Sequence, residues 1–107
     1  MRAAESDELE MVNKPEERRW HALLDGKRVG YVEYRLSPGR VSFIHTVVAP
    51  DYQGHGIARQ LARAVLDDAL ARGLRISPYC PYIRSYLERH HEYDALVDPV
   101  RRPPAEP

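Results

Sequence analysis

Apolar and polar residues alternate over much of the first half of this chain, and the period becomes helical after residue 56. Residues 9–13 read as a short strand, and Pro15-Glu16-Glu17 as the turn that follows it. Arg19–Leu24 and residues 28–36 alternate as half-buried strands do, and Asp25-Gly26 between them is a hairpin signal. Ser37-Pro38-Gly39 then turns the chain into residues 41–48, which are β-branched and aromatic enough for a fourth strand. Ala49-Pro50-Asp51 ends that strand, because proline cannot donate to a ladder.

Ile57, Ala58, Leu61, Ala62, Val65 and Ala69 then fall within an arc of about 140° at helical pitch. The spacing predicts a helix over 56–72 that stops at Gly73, with Asp68 and Arg72 paired one turn apart. Residues 74–77 predict a fifth strand, and Pro81 opens a second helix running to about His90. The order predicts an α+β fold with a mixed, mostly antiparallel sheet of about five strands and two helices. The crossover from the fourth strand to the fifth is expected to be right-handed. Residues 8–98 should form the domain, with 1–7 and the proline-rich 99–107 as flexible termini.

A chain of 107 residues has room for one domain, and its 43% hydrophobic content suffices for a small core. Sixteen basic and sixteen acidic side chains cancel. No global field then favours nucleic acid or an anionic membrane as partner. No apolar run approaches the roughly 20 residues of a membrane span, and the acidic start lacks the apolar core of a signal peptide. The expected compartment is the cytoplasm. Cys80 is the only cysteine, which excludes an intramolecular disulfide and a Cys-rich zinc site. A metal held by Cys80, His90 and His91 is not expected, because adjacent histidines face different ways on a helix. An exposed strand edge is compatible with a monomer or a weak dimer.

The chemistry concentrates in Gln53-Gly54-His55-Gly56-Ile57-Ala58, between the fourth strand and the first helix. A glycine turn that opens a helix aims unpaired amides outward at the positive end of the helix dipole, which suits phosphate. A P-loop needs Lys and Ser or Thr after the second glycine, where Ile57 and Ala58 stand. A dinucleotide fingerprint needs a third glycine, where Arg59 stands. The remaining readings are a plain tight turn or a different phosphate motif.

That motif is (Arg or Gln)-x-x-Gly-x-(Gly or Ala), met by Gln53, Gly56 and Ala58. It resembles the coenzyme A pyrophosphate loop of the GNAT acetyltransferase superfamily. His45-Thr46-Val47-Val48-Ala49-Pro50, the helix, Arg75-Ile76-Ser77-Pro78-Tyr79-Cys80-Pro81-Tyr82 and Tyr86-Leu87-Glu88-Arg89-His90 extend the likeness to the small stand-alone GNAT-like family. The likeness covers about residues 40–97, and 8–36 by strand pattern alone.

The resemblance implies strands four and five splayed apart, with acetyl-CoA in the gap. The backbone around Val47 and Val48 would hold the pantetheine arm. Gln53, Gly54, His55, Gly56, Ile57 and Ala58 would hold the pyrophosphate, and Arg59 could add a side-chain contact. Tyr82 or Tyr86 would meet the adenine or the 3′-phosphate. The implied reaction is acetyl transfer to an amine acceptor, a small molecule or a protein. Two superfamily positions depart from the pattern: the general-acid tyrosine aligns with Leu87, and a strand carboxylate with Ser42. Cys80 is the candidate substitute, as acyl acceptor or as proton donor to the departing thiolate, at a helix start whose dipole favours a thiolate; the other reading is a small, inert, buried side chain. His45 is the candidate base. The alternatives are an acyl-CoA-binding module without turnover and a partner-binding domain whose glycine loop is only a turn.

Overall fold

The computed structural model describes residues 9–98, so the two expected flexible termini lie outside the described residues. Five strands form one sheet in sequential order: β1 (Leu9–Lys14), β2 (Arg19–Leu24), β3 (Lys27–Ser37), β4 (Arg40–Val48) and β5 (Arg75–Pro78). The first four pair antiparallel, and β5 adds to β4 in parallel. Short 3₁₀ turns at Pro15–Glu17 and Pro50–Tyr52 stand where the prolines break the strands. Asp25 and Gly26 both have positive φ, the geometry of a tight hairpin turn.

Helix α1 (Ile57–Arg72) and helix α2 (Pro81–Arg89) pack on one face of the sheet. α1 buries Ile57, Leu61, Ala62, Val65, Leu66 and Ala69, the stripe that its 3.6-residue period dictates. Ala58, expected in that stripe, is half-buried beside it, and Leu66 completes the buried face. Gly73 closes α1 in the left-handed region, its amide reaching the Ala69 and Leu70 carbonyls. The expected Asp68–Arg72 pair is formed at 3.0 Å.

Val32, Tyr34, Val41 and Phe43 supply the sheet side of the core. Two bulges adjust which residues face the helices. One falls between Ala22 and Leu23, where the β2–β3 register shifts, and the other places Ile44 as an extra residue opposite β3. After Ile44 the alternation of β4 reverses. Thr46 lies opposite buried Val32 on the helix face, and His45 lies opposite Glu33 on the uncovered face.

A 3₁₀ segment, His91–Leu96, follows α2 and was not signalled by any periodicity. It returns the chain to the sheet, where Val97 bridges Ile76 and the Asp98 amide donates to the Ile76 carbonyl at 2.9 Å. Arg40 and Arg75 both pair with the Asp98 carboxylate, which ties this return to β4 and β5. Tyr93, on the same segment, donates its hydroxyl to Asp67 of α1 at 2.5 Å.

Candidate functional site

Pairing between β4 and β5 ends at Phe43 and Pro78. There the Phe43 carbonyl accepts the amides of both Tyr79 and Cys80, at 3.1 and 2.9 Å, and turns the chain into α2. β4 continues for five more residues with no strand partner on that side among the described residues, because α2 leaves the sheet where a longer β5 would run. The result is the splay between the fourth and fifth strands. It opens a cleft of about 480 Å³.

Thr46 and Val48 of β4 form one wall of the cleft, and Tyr82 and Arg89 of α2 another. Tyr52, Gln53, Gly54 and Gly56 approach it from the loop, with Ile57, Ala58 and Arg59 from the start of α1. Gln53 is fixed by a 3.0 Å hydrogen bond from its side-chain amide to the Val48 carbonyl, which pins the loop to the end of β4.

Gly56 is the N-cap of α1, with φ +77° and no side-chain cap. The Gln60 amide makes the first helical bond, to the Gly56 carbonyl at 3.1 Å. The amides of Ile57, Ala58 and Arg59 precede it and stand outside the helical ladder. A Cβ on Gly56 would lie 3.0 Å from Nη2 of Arg59, whose guanidinium is folded back over the glycine. Backbone dipole and side-chain charge therefore converge at one end of the cleft. Among the described residues no carboxylate lines it.

At the β4–α2 side, Cys80 is the N-cap of α2 and is 2% exposed. Its Sγ lies 3.3 Å from Oγ1 of Thr46 across the splay. The side chains of Cys80 and Thr46 thus meet where the two strands part. His45 is exposed on the opposite face of the sheet and does not line the cleft.

Of the cofactor residues read from the sequence, Val48, Gln53, Gly54, Gly56, Ile57, Ala58, Arg59 and Tyr82 come together in the cleft. Val47 and His55 do not line it. Val47 is exposed on the uncovered face of the sheet. His55 lines a separate, largely apolar cavity beside Leu9, Leu24 and Gln60. Tyr86 is buried, its ring stacked on His90 at 3.8 Å, and burial pushes its phenol pKa up. Leu87, which the resemblance aligns with a general-acid tyrosine, is buried in the core.

Sequence reasoning missed three cleft residues, Thr46, Tyr52 and Arg89. Arg89 was findable, because it follows Tyr82 by two helical turns on the same face of α2. Thr46 was hidden by the bulge at Ile44. Among the described residues no group of three His, Cys, Asp or Glu side chains could hold a metal ion. Nor is any helix there long and apolar enough to cross a membrane.

A family model described as GCN5-related N-acetyl-transferase matches residues 19–96. The chain belongs to that family. It is 38% identical over 50 residues to Protein NATD1 of Gallus gallus and of Homo sapiens, a stretch covering 47% of this chain and 46% and 44% of theirs. The match thus spans less than half the length of those curated relatives.

A GCN5-like protein from Staphylococcus aureus superposes with a TM-score of 0.67 at 21% identity, over 89% of this chain and 93% of that one. Ard1 of Thermoplasma volcanium does so at 0.55 and 16%, over 70% and 55%. A GNAT-family protein from Desulfovibrio desulfuricans gives 0.53 and 27%, over 66% and 52%. The first two likenesses speak for the fold, and the fold expected from the sequence is the one found.

Proposed function

We propose that the cleft binds acetyl-CoA and that the protein transfers the acetyl group to an amine. The observation that carries this reading is the coincidence of two features in one cleft, the uncapped start of α1 at Gly56 and the splayed stretch of β4, with Cys80 buried beside it against the cleft residue Thr46. The residues fit a diphosphate. Left-handed Gly56 has no side chain to block close approach to the backbone, and Arg59 already stands over it.

In this reading the amides of Ile57 and Ala58, with Arg59, hold the pyrophosphate. The edge of β4 near Val48 holds the pantetheine arm. Bound there, acetyl-CoA supplies an acetyl group activated as a thioester. Transfer breaks the carbon–sulfur bond and forms a carbon–nitrogen bond; the amine gives up one proton and the thiolate takes one. In this reading Cys80 gives a proton at the thiolate, and Thr46, which lines the cleft, orients its thiol. His45 takes the proton from an amine arriving over the uncovered sheet face. Cofactor and acceptor then approach from opposite faces and meet at the splay.

Calorimetric titration with coenzyme A tests binding, and thiol release from acetyl-CoA over a panel of amines and peptides tests turnover. Cys80→Ser and His45→Gln should each lower turnover by at least about a hundredfold with binding retained. Absence of binding heat would overturn the whole reading. An acetylated Cys80 found by mass spectrometry would replace the proton-donor role with that of acyl acceptor. A second reading, an acyl-CoA-binding module without turnover, is favoured by the burial of Leu87, the residue that the resemblance aligns with the superfamily's acid. Binding with no acceptor-dependent thiol release would select it.

A further inference from the structure

We infer that Arg89 recognises the 3′-phosphate of the cofactor, so that the cleft selects coenzyme A over its dephospho form. The inference rests on the acetyl-CoA reading of the cleft and goes beyond it. Among the described residues, Arg35, Arg40, Arg63, Arg72 and Arg75 each have a carboxylate partner. Arg84, the other arginine of α2, donates to the Pro78 carbonyl and lines a different cavity. Arg59 and Arg89 have no ion-pair partner among the described residues, and both line the cleft. In a chain with zero formal net charge, two guanidiniums without a carboxylate partner among the described residues, in one cleft, are a local excess of positive charge.

The two guanidiniums belong to different places. Arg59 is folded over Gly56, where the α1 amides already favour an anion. Arg89 comes from the far end of α2, on the face that presents Tyr82 to the same cleft. One diphosphate at the start of α1 accounts for Arg59 and leaves Arg89 without an anion. A ligand that satisfies both carries a diphosphate and a separate phosphate monoester, joined by a body that Tyr82 can stack against. Coenzyme A has that arrangement in its 3′-phospho-adenosine half. Dephospho-coenzyme A keeps the diphosphate and lacks the monoester.

Calorimetry with coenzyme A and with dephospho-coenzyme A, at fixed salt, tests this on the full chain. The wild type should bind coenzyme A about threefold to fivefold more tightly, a factor suited to one charge contact at an exposed site. Arg89→Gln should bring coenzyme A down to the affinity of the dephospho form and leave the dephospho form unchanged. Arg89→Lys should keep part of the preference, and Arg59→Gln should weaken both ligands together. Unchanged melting temperatures in the variants will show that the fold is retained, as expected for exposed side chains. Equal wild-type affinities, or an equal loss of both ligands in Arg89→Gln, would overturn the assignment. If the wild type bound neither ligand, the acetyl-CoA reading itself would fail, an outcome separate from equal binding.

Discussion

The Thr46 hydroxyl lies 3.3 Å from the Cys80 thiol and joins β4 to the start of α2 just past the last β4–β5 pair. The contact adds to the Phe43 carbonyl, which accepts the amides of Tyr79 and Cys80 at the same junction. Thr46→Val keeps the shape of the side chain and removes its oxygen. It should leave coenzyme A affinity within about twofold, cost about 1 kcal/mol of stability and lower the turnover rate. Paired calorimetry and kinetics on the variant check this. An unchanged rate would show that the contact does not orient the thiol.

Gly56 and Gly54 both adopt positive φ, at +77° and +83°, yet their surroundings differ. A Cβ on Gly54 meets nothing within 4 Å, whereas one on Gly56 meets Arg59. Alanine at either site should cost about 1–2 kcal/mol of backbone strain, or several degrees of melting temperature in a domain of this size. Gly56→Asp should in addition weaken coenzyme A binding by at least about tenfold, since it displaces Arg59 and puts a negative charge on the phosphate site. Comparison of Gly54→Ala with Gly56→Asp by calorimetry separates strain from site.

Gly30 is demanded by packing alone, since its φ lies outside the left-handed region. A Cβ there would sit 2.9 Å from the Val47 carbonyl oxygen and 3.3 Å from Cδ1 of Leu61, pressing β4 and α1 apart. Gly→Ala in an ordinary strand tends to stabilise by stiffening the unfolded chain. Here the sign should reverse, with a loss of about 1–3 kcal/mol from overpacking. Urea unfolding of Gly30→Ala measures it, and a gain in stability would contradict the close approach of β3, β4 and α1.

Most of this fold was legible because each element carries its own period or punctuation. Arg19–Leu24 is a strand with the expected bounds, and α1 begins one residue late because Gly56 is left-handed rather than helical. The His91–Leu96 segment was not legible, since a 3₁₀ turn held by Tyr93 to Asp67 and by Asp98 to Arg40 and Arg75 has no repeating pattern. The loop end of the site was readable from its glycines. The β4 end was not: one inserted residue, Ile44, decides that Thr46 rather than His45 faces Cys80, and nothing in its side chain announces a bulge.

Three buried tyrosines predict how the protein responds to alkali. Burial raises the phenol pKa of Tyr34, Tyr86 and Tyr93, and for Tyr93 the hydrogen bond to the Asp67 carboxylate raises it further, well beyond the ordinary phenol range. In the unfolded chain these phenols titrate near pH 10. Below that pH both states hold the protons and the stabilisation is fully present. As the pH rises past 10, the unfolded chain releases protons that the folded chain keeps, so stability falls until the folded pKa values are reached. Each phenol adds up to about 1.4 kcal/mol of loss per pH unit in that window. Tyr93→Phe should cost about 1 kcal/mol near neutrality through the lost hydrogen bond and make the alkaline decline shallower. Urea midpoints at pH 9, 10 and 11 for the wild type and Tyr93→Phe give both slopes, and parallel slopes would mean that Tyr93 ionises as readily folded as unfolded.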